Sequence, residues 1–205
     1  MSEKMPQRVN RRKRNTLSKE EILNTSLDII KTYGLSGLHM RTIAEKLSSS
    51  VGSIYNYFDN QEEIVKELLF RGENKLTNDI LNGLKNQNSP ITKLKSIGWA
   101  YWNFSIENRD LHRLMFNIGG GMHKKLFSYP KSYKIFLKTV YQYLNSKNNK
   151  NIPRNKFNSF ARTIWAWMYG ILVLKMTGFL DQKTSNNFTP VEDGIELFQK
   201  MVEGI

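Results

Sequence analysis

The segment between Ser18 and Asn60 constrains the fold most. There, apolar residues recur at helical spacing in three short blocks separated by turn residues. Ser18 and Glu21 make an S-x-x-E capping box, in which each residue satisfies a free amide of the first helical turn. Ile22, Leu23, Leu27, Ile30 and Tyr33 follow, and at 100° per residue they fall within an arc of roughly 140°. Gly34 ends this helix and Gly37 lies in the linker. A second helix, about residues 40 to 47, buries Met40, Ile43, Ala44 and Leu47. Ser48 and Ser49 make a turn, and Ser50 caps a third helix of about residues 51 to 58.

Two short helices joined by a tight turn after a first helix make a helix-turn-helix, whose last helix enters the major groove of double-stranded DNA. On the third helix Val51, Ile54, Tyr55 and Phe58 cluster within roughly 100° and form the expected packing face. Gly52, Ser53, Asn56 and Tyr57 occupy the other side. An amide there can pair with adenine, hydroxyls can reach phosphate oxygens, and a glycine permits close approach. Tyr55 lies near the packing face and stands between core and DNA. The expected contact set is Arg41, Ser50, Val51, Gly52, Ser53, Tyr55, Asn56, Tyr57 and Gln61.

The rest of the chain is also helical in pattern. Residues 1 to 17 form a polar arm with Lys4, Arg8, Arg11, Arg12, Lys13 and Arg14 against one acid, Glu3. It lacks apolar periodicity and is expected to be disordered until something binds it. Asn60 caps a helix to about residue 82, and Ser89-Pro90 opens one through Trp99, Trp102 and Phe104. A shorter helix holds Leu111, Leu114, Met115 and Phe116, and the run Gly119 to Gly121 breaks it. Further helices cover about residues 131 to 146 and 153 to 176, and Thr189-Pro190 opens the last. In that helix Val191, Ile195, Phe198 and Val202 share one face, with Leu197 and Met201 opposite. The expected fold is all-α, with about nine helices in three parts: an arm (1–17), a helix-turn-helix domain (18–60) and a larger helical domain (61–205).

Composition removes several classes. Cysteine is absent, which excludes disulfides, thiolate metal sites and a Cys nucleophile. Three histidines leave little for a zinc enzyme, and no metal or cofactor is expected. The N-terminus has no apolar signal region. The most apolar stretch, residues 164 to 174, is too short to span a bilayer. A cytoplasmic protein without membrane association is expected. The formal net charge of +13 suggests a polyanionic partner.

At residues 40 to 64, M-R-T-I-A-E-K-L-S-S-S-V-G-S-I-Y-N-Y-F-D-N-Q-E-E-I, the chain resembles the tetracycline-repressor (TetR/AcrR) family of regulators. Ile43-Ala44, Leu47, Ser50, Gly52, Ile54-Tyr55, Phe58 and Asn60 followed by Glu62 carry the resemblance without a gap. It implies a homodimer that binds palindromic operator DNA and answers to a small-molecule effector, most often as a repressor. Four positions depart from the family pattern. Ser48 stands where Gly usually follows the leucine, and His39 where Thr or Ser opens helix two. Gln61 stands where a phosphate-contacting Lys is usual, and Val51 where a polar or basic residue is common. These changes remove contacts to phosphate and shift that role toward Arg11, Arg12 and Arg14 of the arm. A flexible arm of this length reaches about 20–25 Å.

The larger domain resembles the family more loosely. Residues 100 to 116 look like one C-terminal subgroup, and Trp165 to Gly170 like its later Trp…His-Gly element, with Tyr169 in place of His. Tyr101, Trp102, Phe104, Met115, Phe116, Trp165, Met168 and Tyr169 are the expected pocket for an unidentified effector. Trp167 belongs to the same aromatic group, and His112 reads as a polar boundary residue. The resemblance implies that the last two long helices form the dimer interface, with Ile164, Ile171, Leu172, Ile195 and Phe198 as its expected members.

No nucleophile elbow, P-loop, zinc-protease or dinucleotide glycine motif is present, so catalysis is the least favoured reading. A non-specific, charge-driven nucleic-acid binder is the stronger alternative. Residues 1 to 60 hold ten Lys and Arg against six acids, and the excess lies in the arm while the reading head is near neutral. Nine basic residues and no acid lie between Lys124 and Lys156. The overall charge therefore does not mark the DNA-reading surface. The helix pattern does.

Overall fold

The computed structural model describes residues 17–116, 130–148, 152–179 and 189–203. Arg11, Arg12 and Arg14 of the arm, the glycine run at 119 to 121 and part of the 124–156 basic stretch lie outside the described residues. So do the side chains of Met201 and Val202.

Every described element is helical: α1 (Lys19–Tyr33), a 3-10 turn (Leu35–Gly37), α2 (Met40–Lys46), α3 (Val51–Tyr55), α4 (Gln61–Leu84), α5 (Pro90–Glu107), α6 (Arg109–Met115), α7 (Lys131–Asn148), α8 (Arg154–Met176) and α9 (Pro190–Glu203). The caps explain the starts. Ser18 Oγ accepts from the Glu21 amide at 3.1 Å while the Ser18 amide donates to Glu21 Oε2 at 2.8 Å, completing the capping box. Ser50 Oγ accepts from the Ser53 amide at 3.1 Å, and Asn60 Oδ1 from that of Glu63 at 3.0 Å. Ser89 caps α5, with Pro90 as its first residue.

The chain divides into two compact units, Met1–Ile64 and Val65–Ile205, and the division falls inside α4. In the first unit Ile22, Leu23, Ile29, Leu38, Ile43, Ala44, Ile54 and Phe58 are buried. Tyr33, expected on the packing face of α1, is exposed instead, with Lys46 Nζ 5.7 Å from its ring. It sits in the last turn of α1, where the chain already departs through Gly34 at φ 70°.

In the second unit α5 is the central helix and packs against α6, α7, α8 and α9. Leu94, Ile97, Tyr101 and Phe104 of α5 meet Phe136, Val140 and Leu144 of α7, Ile164, Met168 and Leu172 of α8, and Val191, Ile195 and Phe198 of α9 in one core. A buried carboxylate ties α4 to α7. Glu73 accepts from the amide and the hydroxyl of Ser132 at 2.8 and 2.9 Å and from the Thr77 hydroxyl at 3.1 Å. This places an anion at the N-terminus of α7, where unpaired amides and the helix dipole favour it.

Glycines set the closest approaches in this unit. A Cβ on Gly98 of α5 would lie 2.7 Å from Val191 Cγ1, a branched side chain that is itself fully buried. Alanine is favoured over glycine in a helix by about 1 kcal/mol. Overfilling a packed core costs typically about 1–3 kcal/mol. Overfilling should win, so Gly98→Ala is expected to lower stability in urea unfolding. In a Val191→Ala background the same change should be neutral or stabilising. A wild-type background in which Gly98→Ala raises stability would contradict this packing.

Candidate nucleic-acid interface and aromatic cluster

Helix α3 is shorter than its pattern predicts. It covers five residues, and Asn56 and Tyr57 lie in the turn that follows. So short a helix can press only one line of side chains inward. Ile54 and Phe58, at 0% and 1% exposure, are that line. Val51 and Tyr55, expected on the packing face, are 36% and 51% exposed. The choice left open for Tyr55 falls on the solvent side.

The expected contact residues are therefore mostly exposed. Ser50, Val51, Gly52, Tyr55, Asn56, Tyr57 and Gln61 are exposed, and Ser53 is half-buried. Ser50 and Ser53 bond to each other through their hydroxyls at 2.8 Å. Gly52 faces open space, since the nearest atom to a Cβ added there is Ser50 Oγ at 3.9 Å. Arg41 is 84% exposed and pairs with Glu45 at 3.1 Å, an i,i+4 contact on the surface of α2 that is worth little by itself. The Tyr57 hydroxyl donates to the Leu17 carbonyl, so this phenol anchors the start of the described chain as well as facing solvent. The turn before α3 needs a left-handed residue. Ser48 adopts φ 49°, at a cost of roughly 1–2 kcal/mol for a residue with a Cβ. That is the physical reason a glycine suits this position.

The second unit brings most of the expected pocket residues together. Tyr101 lies 5.3 Å from Trp165 and 5.7 Å from Phe116 by ring centroids, and Phe116 is 5.8 Å from Trp165 and 6.3 Å from Tyr169. Phe104 and Met168 are buried and Met115 half-buried. Trp102 is half-buried at the edge of the core. The sequence missed three members: Tyr133 and Phe136 of α7, whose rings meet Trp165 at 5.1 and 5.8 Å, and His112 of α6. His112 is a core residue and not a boundary one. It is 0% exposed, stacks against Phe116 at 4.6 Å, and its Nε2 lies 3.0 Å from the Tyr101 hydroxyl. A separate groove of about 400 Å³ between α4 and α5 is lined by Asp79, Asn82, Trp99, Asn103 and Glu107, and shares only Phe104 with the expected set.

The expected dimer residues need correction. Leu172, Ile195 and Phe198 are 0%, 4% and 3% exposed, and Ile164 is buried beside them. They fill this chain's own core, because the inward stripe of a helix packed on α5 is the same apolar stripe that the sequence shows. Ile171 is half-buried. Among the described residues, the large apolar side chains exposed on α8 and α9 are Leu174 and Leu197, and Trp167 and Ile171 are among the half-buried ones.

A helix-turn-helix followed by a larger all-α unit defines a class of protein. Residues 22–68 match the family model of bacterial regulatory proteins, tetR family. An uncharacterized HTH-type transcriptional regulator, YobS, of Bacillus subtilis (strain 168) is 26% identical over 92 residues. That match covers 45% of this chain and spans 48%, about half, of the relative's length. The fold is also similar to a protein of unknown function from Rhodococcus sp. RHA1, with a TM-score of 0.69 at 16% identity, covering 95% of this chain and 99% of that one. A bacterial regulatory protein in the tetR family from Rhodococcus RHA1 gives 0.66 at 16% identity, over 90% and 96% of the two chains. The match to the tetR family of bacterial regulatory proteins thus lies in residues 22–68, less than half of the chain. Among the described residues no helix is long and apolar enough to cross a membrane, and no His, Asp or Glu group is arranged to hold a metal.

Burial pushes the His112 imidazole down to about 4 from 6.5. The unfolded chain therefore binds one more proton than the folded chain between these values, and stability must fall as pH falls through that window. Urea unfolding at pH 7 and pH 4.5 should show the loss, and His112→Phe should reduce it. A pH dependence unchanged in that variant would contradict a neutral, buried His112.

Proposed function

We propose that the chain is a dimeric transcription regulator, most simply a repressor. It grips palindromic operator DNA through the exposed side of α3 and lets go when a small molecule occupies the aromatic cluster. The exposed row Gly52, Tyr55 and Asn56 over the buried pair Ile54 and Phe58 carries this reading. It offers a phenol and an amide on a surface where a glycine permits close approach. Arg11, Arg12 and Arg14 would add phosphate contacts from the arm, which leaves the domain next to Tyr57. Two copies would place their α3 helices in successive major grooves, roughly 34–36 Å apart. The effector would act by favouring a dimer of different head spacing, with coupling on the order of 1–3 kcal/mol. Glu73 supports such coupling, since it fastens α4, the helix that leaves the reading domain, to α7.

The test uses DNA from upstream of the protein's own gene. The wild-type chain should prefer it over random duplex by ~10³-fold. Equal affinity would instead support the charge-driven binder. Gly52→Leu should keep the unfolding midpoint, since the added side chain meets open space. It should lose most of the specific preference, because that space is where the DNA backbone or base edges would sit. A Gly52→Leu variant that binds as wild type would remove α3 from the interface.

The partner copy would cover the apolar surface of α8 and α9. Leu174→Glu combined with Leu197→Glu should give monomers by sedimentation with the fold intact, since both positions are exposed. Leu172→Glu should unfold the chain instead, because Leu172 is fully buried. A double variant that stays dimeric would move the interface elsewhere.

A further inference from the structure

Among the described residues of the aromatic cluster, His112 has a buried polar atom without a hydrogen-bond partner. Its side chain is 0% exposed and its Nε2 is engaged by Tyr101 at 3.0 Å. Its Nδ1 is buried and has no hydrogen-bond partner among the described residues. Buried polar atoms in folded proteins are almost always paired, so an unpaired one calls for a role.

The surroundings define the chemistry such a role can have. The rings nearest His112 are those of Phe116, at 4.6 Å, Tyr101, at 5.4 Å, and Phe104, at 6.5 Å. Trp165 and Tyr169 extend the same cluster, and with Phe116 they are only half-buried. Flat apolar ligands pack well on such faces. Nothing in the cluster is charged. Burial pushes the imidazole down to about 4, and the Tyr101 phenol is pushed well above its usual range by burial, with Tyr169 adding to it. A charged ligand would be desolvated there without a counter-ion from these residues. The imidazole is neutral but adaptable. If the Tyr101 hydroxyl donates to Nε2, Nδ1–H is free to donate to a carbonyl. If Nε2–H donates to the Tyr101 oxygen, Nδ1 can accept from a hydroxyl.

We infer that the aromatic cluster takes an uncharged, flat aromatic or fused-ring molecule bearing one hydroxyl or carbonyl group, which hydrogen-bonds to His112 Nδ1. This rests on the regulatory reading above and names the class of its effector. The rings supply apolar contact and His112 supplies orientation and selectivity between a hydroxylated ring and its parent hydrocarbon. Tyr101 is a positioning residue that holds the imidazole from the other side.

The experiment titrates the full-length chain, without DNA, with 2-naphthol and with naphthalene. Wild type should bind 2-naphthol about ten-fold more tightly. His112→Phe, which keeps a ring in place, should bind both at the level of naphthalene. Tyr101→Phe should keep a preference for 2-naphthol. Should His112→Phe fail to fold, the imidazole ¹⁵N resonances of the wild-type chain serve in its place, with the Nδ1 signal of His112 moving on addition of 2-naphthol and not of naphthalene. No binding of either compound, equal affinity in wild type, or a preference that survives His112→Phe would overturn the inference. A second arm adds the upstream DNA. Selective binding without DNA release keeps the site and removes its role as effector site. Ligand-driven release that ignores His112 keeps the regulatory reading and removes this inference.

Discussion

Two buried side chains, Ile54 and Phe58, hold α3 in place, and the organisation of the first unit follows from them. A helix of five residues has too little backbone bonding to persist alone. It exists because Ile54 and Phe58 are buried and α3 packs against α2, and because Ser50 satisfies its first free amide. Four positions apart, these two residues occupy one line, so everything else on the segment faces out. A short, firmly seated helix with an open side is what insertion into a groove requires. The same brevity makes the exposed residues almost free of structural duty, apart from Ser50 and Tyr57.

The second unit obeys a different constraint. α5 is surrounded by α6, α7, α8 and α9, so its residues must be apolar or small on several sides. Gly98 admits α9, and Gly72 of α4 admits Met115, whose Sδ would collide with an added Cβ. Trp99 donates to Glu192 at 2.7 Å and fixes α9 against α5 from another side. Aromatic residues from α5, α6, α7 and α8 then converge beside this core, where His112 introduces a neutral polar atom. Glu73 joins the α4 side of the unit to α7 through three hydrogen bonds. Packing and polar contacts thus link the cluster's helices to α4, the physical basis on which occupancy of one could bias the other.

Much of this was legible in the sequence. The capping box at Ser18 and Glu21, the caps at Ser50 and Ser89, and the helix periods carry their own local chemistry. The aromatic and methionine residues around Tyr101 were legible as a group because they are few and large. What could not be read depends on length and on neighbours distant in sequence. Val51 and Tyr55 match a buried angular pattern, but α3 ends too soon to bury them. Leu172, Ile195 and Phe198 form apolar stripes that a core and a dimer interface would draw alike, and only the packing on α5 separates the two. His112 and Tyr101 lie 11 residues apart on consecutive helices, and Glu73 and Ser132 lie 59 apart, so no local pattern links either pair.

The central claim is that α3 reads a two-fold operator as part of a dimer. Hydroxyl-radical footprinting of the wild-type chain on DNA from upstream of its gene tests it most directly. Two protected patches related by a pseudo-two-fold axis, centred in successive major grooves about 34–36 Å apart, are expected. Uniform protection along the duplex, or a single unsymmetrical patch, would contradict it.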